Sequence, residues 1–320
     1  MNIKDITIMI TTYNRKHRLL NMLHSIERQG HWGKYTLLIV DNCSPDYNWE
    51  EMLSEFHEEF RDNIEIERRN FNCGMSCNIS SCFLLVKTKW VLFLSDDDEM
   101  IDGGLDIVLN DIKRYKDAGA IKYTINNCPK HKDVEISDID EYIDYFNKYK
   151  FAGDAIFLTM AYNLEKLRNY LPFITSYAYT FISFNLPIYA GLADKTIKLK
   201  LSSNSILKYE LPAKGTNWDF ITVLLGISTF LDIPLLMTFK QKKELLKTVL
   251  ANFRANEILR ILIPKKCTNK EKDYIFNKFY YSLYRPIYGC KSWQFFLLYK
   301  LYCLFHINIF AIYDTIKNKK

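Results

Sequence analysis

The chain has 320 residues, 48% of them hydrophobic and 15% aromatic, with only 11 glycines and 8 prolines. That composition excludes a disordered or collagen-like chain and supplies core enough for one α/β catalytic domain with an appendage. The net charge of +6 is unevenly spread: residues 240–320 carry 17 Lys and Arg against 5 Asp and Glu, a balance of +12 that leaves −6 for the rest. A basic end of this kind points to an anionic membrane surface or to nucleic acid.

The start, Met1–Asp5, has no basic cluster followed by an apolar stretch, so no secretory signal is expected and the functional site is expected to face the cytoplasm. The eight cysteines fit that setting as reduced, buried thiols. Cys73, Cys77 and Cys82 lack the paired C-x-x-C spacing and neighbouring His of a zinc site.

In chain order, Ile6–Ile10 reads as a strand, and Arg15–Gln29 as a helix with Leu19, Leu23 and Ile26 on one face. Thr36–Val40 is a second apolar strand, and Trp49, Met52, Leu53, Phe56 and Phe60 recur behind it at helical spacing. The unit repeats: a strand at Ile64–Ile66, a helix over about Ser76–Val86, a strand at Trp90–Leu94 and a helix over Leu105–Tyr115. Such alternation predicts a mostly parallel sheet covered by helices on both faces. From Ala120 the pattern loosens into an acidic stretch, Asp133–Asp144, and then an aromatic segment, Phe151–Ile233, with Pro172, Pro187 and Pro212. That segment is expected to form the acceptor side. Beyond Pro234 the chain turns basic and helical, with a break expected at Pro264. The sequence therefore divides into 1–235, with a donor half at 1–115 and an acceptor half at 116–235, and a helical basic and aromatic region at 236–320.

Ligands of parallel α/β sheets gather at the carboxyl ends of the strands. The four loops there read Thr11-Thr12-Tyr13-Asn14-Arg15, Asp41-Asn42-Cys43-Ser44, Arg68-Arg69-Asn70-Phe71-Asn72-Cys73-Gly74 and Ser95-Asp96-Asp97-Asp98-Glu99. Three adjacent carboxylates at the end of a buried strand repel one another and call for a cation. Their hard oxygens suit Mg²⁺ or Mn²⁺, which commonly completes its shell with water and substrate phosphate. The plain alternative is a solvated acidic turn before a helix N-terminus. Arg68 and Arg69 can pair with phosphate as planar donors, or be ordinary surface arginines. Gly74 permits close backbone approach, or only a turn. Tyr13 can stack on a base or pack. Asp41 can bond a base or ribose, or cap the following turn together with Ser44. No G-x-G-x-x-G follows the first strand and no G-x-x-x-x-G-K-[ST] occurs, which disfavours a dehydrogenase and a P-loop enzyme. A sugar nucleotidyltransferase would show a Gly-rich, Arg-bearing loop where this chain has Thr-Thr-Tyr-Asn.

The strings Ile8–Arg15, Val40–Ser44, Asn70–Gly74 and Phe93–Asp98 resemble, in order and spacing, the four donor-site motifs of family 2 glycosyltransferases of the bacterial surface-polysaccharide type, over about residues 3–115. The resemblance implies the GT-A fold and inverting transfer from a UDP- or dTDP-sugar to a glycan or lipid-linked acceptor, in capsule or O-antigen synthesis. It also implies a divalent cofactor, Mn²⁺ or Mg²⁺, on a DXD motif. By position, Thr11 and Tyr13 line the nucleoside pocket, Asp41 contacts base or ribose, and Arg15, Asn42, Arg69, Asn72, Gly74 and Asn78 complete the donor set. Asp96 and Asp97 approach the ribose or the metal, while Asp96 and Asp98 are the implied metal ligands. Many members carry a second acid at the position of Asn42, so the choice between uridine and thymidine stays open. Members also commonly carry a Glu-Asp pair in the second half, which this chain lacks; the candidates for the general base are Asp219, Asp154 and Asp194, with Asp219 favoured beside Trp218.

A noncatalytic scaffold that binds membrane through its basic end is the competing reading, and the three adjacent aspartates argue against it. Nucleic acid is not an expected partner, because the basic end is too apolar for a groove that tracks phosphates. Trp293–Tyr313 is apolar and aromatic but interrupted by Lys300, His306 and Asn308, so it is expected to lie on a membrane rather than span it.

Overall fold

The computed structural model describes residues 4–124, 131–149, 159–208, 220–250, 258–259, 262 and 268–305. The chain forms two compact units: Met1–Ala178 with Ile182–Thr216, and Tyr179–Phe181 with Asn217–Lys320.

The first unit is built on an eight-stranded sheet. Its strands are β1 (Ile6–Thr12), β2 (Tyr35–Asp41), β3 (Ile64–Arg68), β4 (Trp90–Ser95), β6 (Ala120–Thr124), β7 (Val134–Ile136), β8 (Met160–Asn163) and β9 (Leu199–Ser205), and a separate two-stranded antiparallel sheet pairs β5 (Glu99–Met100) with β10 (Leu207–Lys208). The spatial order is β3-β2-β1-β4-β8-β6-β9-β7. Strands β3, β2, β1 and β4 run parallel, β8 is antiparallel to β4 and β6, β9 is parallel to β6, and β7 closes the edge antiparallel. Strands β1 and β4 are apolar almost throughout because both faces of the sheet are covered. On one face α1 (Lys16–Glu27) buries Leu19, Met22, Leu23 and Ile26. Each fully buried aliphatic side chain of this kind contributes about 1.5–3 kcal/mol.

The predicted helix behind β2 is two short ones, α2 (Trp49–Leu53) and α3 (Glu58–Arg61). Met52, Phe56 and Phe60 are still buried, so the helical spacing was real while the helix was not continuous. The predicted 76–86 helix is α4 (Met75–Cys82), and α5 (Gly104–Arg114) buries Leu105, Val108, Leu109 and Ile112. Then come α6 (Ile139–Tyr149), α7 (Leu164–Leu167), α8 (Pro172–Ser176) and α9 (Leu186–Ala193). Here the core is aromatic: Phe83 meets Tyr162 edge-on at 5.3 Å, and Tyr142 packs on Phe146 at 4.4 Å and Tyr189 at 5.4 Å.

Two contacts fix the stretch after β4. The Met100 N–H donates to Ser25 Oγ of α1 at 2.9 Å, and the Ile101 N–H donates to the Ile206 carbonyl at 3.1 Å. They hold the aspartate loop between α1 and the β9–β10 connection.

The second unit is helical: α10 (Phe220–Ile227), α11 (Phe239–Leu250), α12 (Asn269–Phe279), a π-turn at Tyr280–Tyr284, α13 (Arg285–Tyr288) and α14 (Trp293–Phe305). Thr268 and Glu271 form a reciprocal capping box that starts α12. Helices α12 and α14 pack through rings, with Phe276 stacked on Tyr299 at 3.8 Å and Tyr280 against Phe296 at 5.1 Å. At Gly226 of α10, a Cβ would stand 1.9 Å from the Tyr179 carbonyl oxygen. The position tolerates no side chain. Pro264, where a break was expected, lies outside the described residues, and so do residues 151–158 at the start of the expected acceptor segment. Among the described residues no helix is long and apolar enough to cross a membrane.

Candidate functional site

The register of the parallel strands brings the four sequence-selected loops together. Thr12 lies opposite Asp41, Asp41 opposite Arg68, and Thr11 opposite Ser95. One edge of the sheet thus carries Thr11, Tyr13, Arg15, Asp41, Asn42, Arg69, Asn72, Gly74, Asp96, Asp97 and Asp98.

After β2 the chain must turn without exposing its end. Asp41 is fully buried, and its Oδ1 accepts the Ser44 N–H at 2.8 Å, an Asx-type turn. Its Oδ2 is buried without a hydrogen bond, with Arg68 Nε at 3.5 Å. Arg68 itself is tied down, donating through Nη2 to the Ser44 carbonyl at 2.7 Å. Thus one of the two arginines considered for phosphate serves as a counter-charge for Asp41. The other, Arg69, donates to Asn78 Oδ1 at 3.4 Å and Ser81 Oγ at 2.7 Å, which ties the end of β3 to α4.

Asn42 faces inward, 4% exposed, and its amide is hydrogen-bonded through both its nitrogen and its oxygen. Nδ2 donates to Asn72 Oδ1 at 2.8 Å, Oδ1 accepts the Cys73 N–H at 3.0 Å, and Asn72 Oδ1 also accepts the Gly74 N–H at 2.9 Å. The 72–74 turn is therefore built on Asn42. Gly74 completes it at φ +80°, a region only glycine enters at low cost, and it starts α4. Asn78, expected among the donor contacts, is buried on α4 and holds Arg69.

The loop after β1 is pinned by Ser44 of the second loop and by Tyr47, which no motif had flagged. The Arg15 N–H donates to the Tyr47 hydroxyl at 2.7 Å, which also lies 3.0 Å from Thr12 Oγ1, and the Asn14 N–H donates to Ser44 Oγ at 2.8 Å with Asn14 at φ +52°. Burial raises the Tyr47 phenol above its ordinary value, so it stays a neutral anchor. Tyr47 sits six residues past a strand, and only its ring among polar neighbours hinted at burial. Tyr13, by contrast, stands 43% exposed at the rim.

Arg15 reaches the aspartates. Its Nη1 donates to Asp96 Oδ1 at 2.9 Å and to Asp97 Oδ2 at 3.2 Å, and Arg18 Nη1 approaches Asp97 Oδ2 at 3.5 Å. Ser95 Oγ also donates to Asp97. Asp96 is 3% exposed with Oδ2 unpartnered. Burial pushes its carboxyl up to about 6, against the opposing pull of Arg15. A carboxylate desolvated this far, with one oxygen unused, fits a divalent cation as a further partner. Asp98 is buried two residues on. Among the described residues no three His, Cys, Asp or Glu side chains converge as a complete cage. An ion held here would take one or two carboxylates and fill its shell from ligand oxygens.

Of the base candidates, Asp194 is not brought to this edge. It closes α9 before β9 begins, at the amino ends of the parallel strands, and Oδ2 accepts the Tyr170 hydroxyl at 2.6 Å. Asp154 and Asp219, with Trp218, lie outside the described residues. The six cysteines among the described residues are free thiols.

A mostly parallel sheet with these loops at its carboxyl edge defines a GT-A glycosyltransferase. A family model, "Glycosyl transferase family 2", matches residues 7–171, just over half of the chain, and the chain belongs to that family. No curated protein sequence matches it. Among solved structures, TarS of S. aureus, residues 1–349, superposes with a TM-score of 0.58 at 13% identity over 88% of this chain and 82% of that one. The same piece of TarS in complex with UDP-GlcNAc gives 0.60 at 13% identity over 88% and 81%. At such identity the likeness is one of fold.

Proposed function

We propose that this glycosyltransferase moves a sugar, with inversion, from a UDP- or dTDP-linked donor bound at the carboxyl edge of β1, β2 and β4 to a glycan or lipid-linked acceptor, in surface-polysaccharide synthesis. One observation carries the reading: the ends of β2 and β4, the two strands that flank β1, each bury a carboxylate oxygen with no hydrogen bond, on Asp41 and Asp96. Leaving an acceptor buried and unpaired costs about 1–3 kcal/mol, which a bound ligand repays. Asp41 Oδ2 suits the imide N–H of uracil or thymine, and Tyr13 at the rim suits stacking on the base. Arg15 and Arg18 suit the diphosphate as planar donors. Asp96 and Asp98 would hold Mn²⁺ or Mg²⁺, as a DXD motif. When bound, the ion supplies neutralisation of charge on the departing diphosphate. The UDP and UDP-GlcNAc complexes of TarS support a uridine donor. Inverting displacement also needs a base on the acceptor hydroxyl. With Asp194 at the opposite edge, Asp219 is the proposed base and Asp154 its alternative.

The test is thermal stability with UDP, dTDP and GDP, each with and without Mn²⁺, for the wild type and Asp98→Ala. Saturation at about 100 times Kd stabilises by ~2.7 kcal/mol, which raises Tm by roughly 5–11 °C for a unit of this size. UDP or dTDP with Mn²⁺ is expected to give that rise and GDP a smaller one, while Asp98→Ala loses it along with at least ~10³ of transfer activity. No rise with any nucleotide overturns the reading in favour of a scaffold.

The acceptor is proposed to be membrane-borne, with the enzyme peripheral on the cytoplasmic face. In α14, Phe295 and Tyr299 are buried against α12, while Trp293, Leu297 and Leu304 share an exposed stripe, Trp293 at 57% and Leu304 at 72%. Lys300 lies in that stripe, and Lys291 is exposed beside it. Basic groups near an anionic leaflet contribute on the order of 1 kcal/mol each, in addition to inserted aromatic surface. Full-length protein is expected to sediment with phosphatidylserine vesicles at low salt and Trp293→Ala/Leu304→Ala to do so several-fold less. Equal sedimentation of the two overturns this membrane role.

A further inference from the structure

The carboxylates after β4 already hold a cation. Arg15 Nη1 sits 2.9 Å from Asp96 Oδ1 and 3.2 Å from Asp97 Oδ2, and Arg18 Nη1 lies 3.5 Å from the same Asp97 oxygen. The guanidinium is placed there by the protein alone. Parallel register sets Thr11 beside Ser95, and the Tyr47 hydroxyl fixes the Arg15 N–H. Asp96 is nearly inaccessible, and a carboxylate so buried stays ionised only with a neutralising partner. Arg15 is that partner.

We propose that Arg15 is a resident cation that makes divalent-metal binding conditional on the donor's diphosphate. The inference rests on the reading of Asp96 and Asp98 as metal ligands. A guanidinium keeps its charge at every working pH and pairs carboxylates through a rigid fork, so it is not lost by titration. With Arg15 and Arg18 seated, Asp96 and Asp97 face two guanidinium groups, and a divalent ion arriving alone finds little net attraction. It also meets repulsion from Arg15 across a few ångströms of partly buried protein. A diphosphate reverses both terms: its oxygens accept hydrogen bonds from the arginines, drawing them off the aspartates, and supply the negative charge and the remaining ligands the ion needs. Metal and nucleotide then bind cooperatively, each raising the affinity of the other by the same factor.

The experiment is a Mn²⁺ titration followed by electron paramagnetic resonance, which reads free Mn²⁺, with and without saturating UDP. In wild-type protein UDP is expected to raise Mn²⁺ affinity ~50-fold, and calorimetry is expected to find the same factor for Mn²⁺ on UDP. Arg15→Gln should bind Mn²⁺ alone ~10-fold tighter than wild type, with a coupling factor reduced toward one. Arg18→Gln, which touches only Asp97, should change both less. Circular dichroism checks that Arg15→Gln folds; if it does not, the wild-type coupling factor carries the test. Tight Mn²⁺ binding to the wild type without UDP, or an Arg15→Gln protein that binds Mn²⁺ no better, overturns the gate and leaves the metal site standing. Absence of Mn²⁺ binding both with and without UDP overturns both.

Discussion

At the carboxyl ends of β1, β2 and β4 the protein is polar, crowded and under electrostatic load, with Asp41, Asn42 and Asp96 buried and two carboxylate oxygens without a hydrogen bond. In the second unit the same chain packs rings on rings: Phe276, Tyr280, Phe295, Phe296 and Tyr299 interlock, and the ladder is closed by a capping box. The first region departs from what is best for stability, which marks a place reserved for a ligand. The second follows ordinary packing rules, and the membrane contact proposed for it lies in what remains outside, the Trp293–Leu304 stripe. Substitutions should therefore have opposite signatures in the two regions: loss of stability in the second, and separation of stability from activity in the first.

The largest expected effect is steric. Gly226→Ala places a methyl carbon 1.9 Å from a backbone oxygen, and backbone cannot yield as a flexible side chain does. A loss of about 3 kcal/mol or more is expected, read as a falling urea midpoint. A shift under about 0.5 kcal/mol would show that the second unit is looser than its packing implies.

Asp96→Asn should do the reverse. The folded carboxyl, raised to about 6 from an ordinary 3.8, binds its proton more tightly than the unfolded chain does. Stability from that group is full below the ordinary value and is lost as pH rises through about 6, so at pH 7 the ionised Asp96 costs stability. The asparagine escapes that cost, by at most ~3 kcal/mol, since one pKa unit is about 1.4 kcal/mol. Melts of the ligand-free variant should lie above wild type at pH 7.5 and converge with it near pH 4, while transfer activity is lost. A variant equally destabilised at both values would contradict the electrostatic account.

Asn42→Ala is intermediate. It removes the amide that organises the Asn72–Gly74 turn, at a cost of about 1–2 kcal/mol, and donor KM is expected to rise several-fold more than kcat falls. Equal effects on both constants would move Asn42 from positioning the loop to a step of the reaction.

Strands β1 to β4, the parallel core and the four strand-end loops were legible because each rests on local signals: apolar runs of strand length, helical spacing, and polar strings directly after strands; β5 to β10, short strands scattered through a stretch without clear periodicity, were not predicted. What each polar residue does was less legible, because it depends on partners distant in sequence. Arg68 meets Asp41 only through the β2–β3 register, and Asn42 meets Cys73 across a gap of 31 residues. Tyr47 was missed outright, since a tyrosine in a polar loop carries no motif, and its role exists only where two loops meet. Asp194 shows the converse: its sequence neighbourhood gave no sign that β9, and the residue with it, enters from the amino edge. The exposed stripe of α14 was hidden because both of its faces are apolar, so helical spacing could not separate the buried side from the outer one.

The membership of Tyr179–Phe181 in the second unit bears on how the chain is made. On the ribosome these residues emerge well before Gly226, whose bare backbone is shaped to lie against the Tyr179 carbonyl. At about 5–20 residues per second the wait lasts a few seconds. During it the sheet of the first unit has all its strands, β1 to β9, only after a segment destined for the other unit has already passed, so that segment must stay uncommitted until α10 arrives. A chain cut after Thr216 would strand it permanently. Removal of the helical unit is therefore expected to leave behind an adhesive three-residue remnant rather than a clean catalytic core.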